Sequence, residues 1–177
     1  MRGATVDRNA RALAGLRIAV GVLFLFFGEY KVFGTRFVFG GGFEHWINRF
    51  LSDQAAYPFM VPVLHDFVLP WATPIALLVA YGELAIGLSL TLGVLTRVAS
   101  GCGLIYMSAL LLSSDYPGAH VAPWQYLGAA LDHLVLALCF ATFAAGDPDR
   151  ALSLRAHLAH RVSAAGPTAA GPDQSAA

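Results

Sequence analysis

The sequence predicts an all-α polytopic membrane protein: a four-transmembrane-helix bundle with an amphipathic helix in an external loop. Three observations lead there. Of 177 residues, 57% are hydrophobic and only 12% charged, against the ~25% charged of a soluble domain. The apolar residues gather into four stretches, about 13–33, 71–94, 98–114 and 124–145, on the scale of the about 20 helical residues that cross a ~30 Å hydrocarbon core. Backbone amides in lipid must pair within their own segment, and the alternating strands of a membrane barrel are absent, so helices are the economical reading.

Residues 1–12 form a basic N-terminus ahead of the first helix. Leu13–Phe27 has the look of a signal peptide, but Gly28-Glu29-Tyr30-Lys31-Val32-Phe33 offers no small-x-small cleavage site, so the segment reads as retained. The loop 34–70 is long for a connection inside a compact domain. Within it Phe43, Trp46, Ile47, Phe50 and Leu51 recur at helical spacing, with Glu44, His45, Asn48, Arg49 and Ser52 on the other face. That is an amphipathic helix, expected on the outer membrane surface or capping the bundle. A second short helix is expected from Pro62, too proline-punctuated to span.

Leu95-Thr96-Arg97 is a tight turn that makes the second and third spans antiparallel neighbours, and Asp115–Pro123 is an ordinary loop. Asp147-Pro148-Asp149 reads as an N-cap with proline at the first helical position, opening a basic surface helix over 147–161. Residues 162–177, rich in Ala, Gly, Pro and Ser, read as a disordered tail. Arg2, Arg8, Arg11, Arg17, Arg97, Arg150, Arg155 and Arg161 fall on one side of this topology and Lys31, Arg36 and Arg49 on the other. The positive-inside rule then puts both termini in the cytoplasm of an inner (plasma) membrane protein.

A net charge of zero gives no general attraction to nucleic acid. Cys102 and Cys139 are single and read as buried structural cysteines. His45, His65 and His120, with Glu44, Asp66 and Asp115, follow no metal-ligand spacing, so no metal is expected. Neither a nucleotide-binding loop nor a haem-attachment motif occurs, and there is no internal repeat of the kind transporters are built from.

Glu83 is the residue to explain. It lies mid-span, about 18 Å below Trp71 by helical rise, where a charge costs at least ~2.5 kcal/mol even on the mildest scales. Its neighbours at helical spacing, Ala76, Ala80, Gly87 and Thr91, are small, so Glu83 is expected to face another helix. Asp132 is expected within the fourth span, roughly 12 Å below Trp124, with His133 beside it. Arg17, Gly21, Phe24, Gly28 and Lys31 form one stripe on the first span. On the residues alone, Arg17 snorkels to the inner interface and Lys31 and Glu29 to the outer one. Ordered by depth, Lys31, Glu29, Asp132, His133 and Glu83 make a polar track suited to proton exchange with a small redox molecule. Glu83, Asp132 and His133 are the candidate catalytic groups. Arg17, Glu29, Lys31 and Tyr106 are the candidate cofactor-binding ones.

The stretch Leu16-Arg17 through Gly28-Glu29-Tyr30-Lys31 resembles the opening of DoxX-family membrane proteins, with an Arg at its start and Gly-x-x-Lys near its end. Gly82-Glu83-Leu84-Ala85-Ile86-Gly87, running to Thr96-Arg97, is similar to a second and more specific family stretch. The resemblance covers about Leu13 to Ala145 and, by the extended first loop, is closest to the DoxD branch, the larger subunit of an archaeal thiosulfate:quinone oxidoreductase. It implies a four-helix inner-membrane subunit of a quinone-linked oxidoreductase. Quinone would be the cofactor, and the partners would be the bilayer and a soluble or membrane redox subunit; a homo-oligomer is left open. The alternative function is a non-enzymatic scaffold or assembly subunit, whose buried polar groups fix helix register.

Overall fold

The computed structural model describes residues 2–34, 36–127, 131–149 and 151–154, with side chains from Arg8 onward. All regular structure among them is helical: α1 (Arg2–Glu29), continued by a π-helical turn (Tyr30–Gly34); α2 (Gly42–Ser52); α3 (Ala72–Leu92); α4 (Thr96–Ser114); and α5 (Asp132–Ala145). A further π-helical segment, Val63–Val68, follows Pro62, and Pro123–Leu127 is a 3-10 turn. The first helix thus begins well before Leu13 and changes pitch at Tyr30 instead of running uniformly to Phe33.

Three helical segments, Arg8–Gly34, Ala72–Leu92 and Thr96–Ser114, are long and apolar enough to cross a membrane, and Asp132–Ala145 is a shorter apolar helix. Their outward faces carry Phe26, Leu78, Val98, Ile105 and Leu138, all more than half exposed. A helical bundle with apolar side chains on its outside is built for lipid. Cys102 lies on this exposed side and Cys139 is half-buried, both as free thiols; the expectation of buried structural cysteines fails for Cys102.

In the fourth apolar stretch Trp124 lies in the 3-10 turn Pro123–Leu127, and the α-helix is Asp132–Ala145. Leu131 just before it takes a left-handed conformation, φ 59°, which no helix continues through. Fourteen residues of α5 rise about 21 Å, yet the segment still matches α4 end to end. At one end His133 meets Asp115, the C-cap of α4; at the other Asp149 accepts a hydrogen bond from Thr96, the first residue of α4. The turn after α5 supplies the missing depth. That turn replaces the start of the expected surface helix: 148–149 is a turn and 151–153 a bend. The rest of that helix, from Arg155, and the expected tail lie outside the described residues.

Helix α1 packs chiefly on α3, and α5 on α4. The bundle core joins Val20 and Phe24 of α1, Ile86 and Leu90 of α3, Met107 of α4 and Phe140 and Phe143 of α5. Phe24 and Phe140 meet edge to face at 5.1 Å, a favoured aromatic geometry. A second core lies at the end of the bundle that carries the two long connections, here termed the loop end. There Phe43 and Ile47 of α2, with Phe37 and Leu64, cover Ala72, Ala76 and Ala80 of α3. The amphipathic helix therefore caps the bundle through Phe43 and Ile47, while Trp46 of the same stripe stays half-exposed.

The α1–α3 contact is backbone to backbone. A Cβ on Gly21 would lie 2.7 Å from Thr91 Oγ1, and one on Gly87 would lie 2.7 Å from Leu25 N and 2.8 Å from Gly21 O. Gly28 makes the same approach to Leu84. At the opposite, turn end, Gly93 (φ 69°) and Leu95 (φ 53°) reverse the chain into α4. Overpacking a tight site costs about 1–3 kcal/mol and here it meets backbone that cannot yield, so Gly87→Val is expected to destabilise by at least the upper part of that range. Gly101→Ala, where a Cβ meets open space, is the control: thermal unfolding in detergent should fall sharply for the first and stay at or above wild type for the second.

Candidate functional site

Glu83 is buried, 4% exposed, at the middle of α3. Its small-residue stripe is turned into the bundle: Gly87 and Thr91 meet α1, and Ala76 and Ala80 lie beneath α2 and the loop around Phe37 and Leu64. The Lys31 ammonium forms an ion pair with Glu83 Oε1. The Tyr106 hydroxyl, from α4, donates to the same oxygen at 2.6 Å, and Lys31 Nζ lies 3.3 Å from the Tyr106 oxygen. Three spans thus meet through three polar side chains. Lys31 Nζ also stands 5.4 Å from the Phe37 ring centroid and 5.9 Å from that of Tyr106, within cation–π range.

Two local features deliver Lys31 there. Gly28, one turn earlier, lets α1 touch the backbone at Leu84. The π-helical turn that begins at Tyr30 widens the helix and rotates the side chains that follow; such turns recur at functional sites. Lys31 therefore turns inward to the carboxylate instead of snorkelling to an interface.

Glu83 Oε2 is buried with no hydrogen-bond partner among the described residues. A buried acceptor left unmatched costs about 1–3 kcal/mol and asks for a missing partner such as water or a ligand. Beside the ion pair, a groove of about 380 Å³ is lined by Lys31, Val32, Arg36, Val38, Phe39, Gly40 and Tyr81. The lysine side chain, 22% exposed, belongs to both the groove and the buried pair. The arrangement can hold a polar, partly aromatic ligand at a cation and pass a proton to or from a buried carboxylate.

The other candidate residues do not join this group. Arg17 is not at an interface but fully buried. It donates to Leu90 O in the last turn of α3 and, at 2.7 Å, to Leu152 O beyond α5. It lies about 21 Å along α1 from Lys31 by helical rise, at the turn end. There it satisfies one of the carbonyls that a helix C-terminus leaves unpaired. Glu29 is exposed. Asp132 is not buried at depth: its side chain is 61% exposed in the first turn of α5. His133 bonds Asp115 at 2.8 Å, about 13 Å along α4 from Tyr106 and half a turn round it. The expected polar track is thus two separate groups, one around Glu83 and one around His133.

Residues 12–113 match the DoxX family model. That stretch contains Arg17, Gly28, Lys31, Glu83, Gly87 and Tyr106 and ends before Asp115, so the group around Glu83 lies inside the matched region and the group around His133 outside it. No curated protein and no solved structure matches the chain.

Removing one partner of a buried ion pair strands the other charge, at about 3–5 kcal/mol. Lys31→Met is therefore expected to lower the detergent melting temperature steeply, and Lys31→Met with Glu83→Leu to recover most of the loss; a thermal unfolding series on the three variants checks this.

Proposed function

The chain belongs to the DoxX family, and from that premise we propose that it is an inner-membrane subunit of a quinone-linked oxidoreductase, with both termini cytoplasmic. A redox partner subunit would deliver electrons from a sulfur compound such as thiosulfate, the donor that the DoxD-like resemblance supplies. The unmatched Glu83 Oε2 carries this reading: in a mid-span carboxylate otherwise bound on one oxygen, it is the buried atom able to hold a proton, with Lys31 standing between it and the groove.

The residues present suit a quinone head. Lys31 supplies a donor for a ring oxygen, and Phe39 and Tyr81 give the groove flat apolar walls. Bound quinone would supply a two-electron, two-proton acceptor. The chain's part is to orient and to move protons. Lys31 holds the ligand oxygen near the carboxylate, Tyr106 fixes the carboxylate through Oε1, and Oε2 takes up or releases the proton. Lys31 is the route outward, because it reaches the groove as well as the buried pair. Asp132 and His133 have no part in this exchange, since they face a different region of the bundle.

The same triad supports a second reading. An ion pair with a shared hydroxyl across α1, α3 and α4 would pin helix register in a non-enzymatic scaffold subunit, a use to which buried polar groups are put elsewhere.

Lipid extraction and mass spectrometry on the purified protein in nanodiscs separates the two. Stoichiometric quinone is expected in wild type, falling about tenfold or more in Glu83→Gln at equal folded yield, as for loss of a hydrogen bond to a charged group. Wild type without quinone, or a variant that retains it fully, would overturn the assignment and leave the scaffold reading.

A further inference from the structure

We propose that Asp115, Asp132 and His133 form a binding site for a divalent transition-metal ion of the zinc type, at the loop end of the bundle between the end of α4 and the start of α5. The three residues come from the two sides of the 116–131 connection. Among the described residues theirs is the set whose donor atoms converge: one ligand atom from each lies within 4.8 Å of the other two.

The separations suit coordination. His133 Nδ1 is 2.8 Å from Asp115 Oδ2 and 3.5 Å from Asp132 Oδ1. Ligand atoms at about 2.1 Å from a metal stand roughly 3.0 Å apart in octahedral and 3.4 Å apart in tetrahedral geometry; the 3.5 Å edge is close to the second, and the 2.8 Å edge, now a hydrogen bond, has to open by a few tenths of an ångström as the metal takes the place of the proton between the two atoms. The remaining edge, carboxylate to carboxylate, is no longer than 4.8 Å, and the exposed Asp132 side chain is the one that can close it. Imidazole with two carboxylates suits zinc or manganese and disfavours magnesium and calcium, which take oxygen ligands.

Asp115 is also oriented from behind: Ser114 Oγ donates at 2.8 Å to Asp115 Oδ1, the oxygen that does not face the imidazole. Asp132 is held from the main chain, His133 N donating at 2.8 Å to its Oδ1, the oxygen nearer the imidazole. Outer partners of this kind fix metal ligands. Charge points the same way. Two acidic side chains and one imidazole are brought together with no Lys or Arg among their hydrogen-bond and ion-pair partners in the described residues, and a divalent cation is the counter-charge such a set accepts. The gradient of exposure, from 10% for Asp115 and 22% for His133 to 61% for Asp132, leaves the site open to water on one side. An ion there would brace α4 to α5.

The test is a Zn2+ titration by isothermal calorimetry of the full chain in detergent, with any affinity tag removed and metals stripped by chelator. One stoichiometric site is expected, unaffected by excess Mg2+ and accompanied by a rise in melting temperature. Affinity should fall by at least about tenfold in Asp115→Asn and in His133→Gln. Asp132→Asn, on an exposed side chain, keeps the test valid should either of the others fold poorly. Glu83→Gln and a His45→Gln/His65→Gln double variant should bind as wild type does. Wild type without saturable Zn2+ uptake, which would leave His133 paired by a proton alone, overturns the proposal; so does uptake that survives in the Asp115, His133 and Asp132 variants.

Discussion

A carboxylate in the middle of a lipid-spanning helix has to find a cation and a hydrogen-bond donor within the protein, because neither water nor snorkelling is available to it. Glu83 finds both in Lys31 and Tyr106, and much of the architecture follows from that need. Lys31 must come from a neighbouring span at close range. Close range requires glycines at the crossing, and Gly21, Gly28 and Gly87 provide them. The tyrosine must come from a third helix, which fixes the rotation of α4 against α3. The pair is thus both the reason for the tight α1–α3 contact and its beneficiary.

The stripe on α1 that makes this contact is pinned twice. Lys31 binds a side chain at the middle of α3, and Arg17 binds a main-chain carbonyl of α3 at the turn end. Between them Gly21 and Gly28 set the separation and Phe24 fills the space toward α5. Sliding one helix along the other would break both charged contacts at once. The α3–α4 and α4–α5 pairs lack glycine crossings of this backbone-to-backbone kind and are tied at their ends instead, by the Gly93–Leu95 reversal, the His133–Asp115 contact and the Thr96–Asp149 contact.

Much of this was legible in the sequence. Helical periodicity placed Arg17, Gly21, Phe24, Gly28 and Lys31 on one stripe, and small residues around Glu83 showed that it faced a helix. The spacing of Phe43, Ile47 and Phe50 located α2. Three things were not legible. Hydropathy is blind to a break inside an apolar run, so Leu131 went unnoticed and Asp132 was placed too deep. A π-helical turn has no compositional mark, so the inward swing of Lys31 was read as an outward one. Arg17 was taken for a snorkelling residue because one of its partners, Leu152 O, is a main-chain atom remote in sequence and carries no side-chain signature at all.

That last contact bears on how the chain is made. Arg17 enters the membrane with the first span to be synthesised, while one of the acceptors for its guanidinium belongs to a residue added after every helix of the bundle has been translated. Until then the arginine has only α3 to lean on, and the order of translation leaves the turn end open. Its closure by the segment after α5 therefore has to wait until α3, α4 and α5 have all been made. A chain that stops before Leu152 lacks one of the two main-chain acceptors of a fully buried guanidinium, so the turn end is held by the Leu90 contact alone.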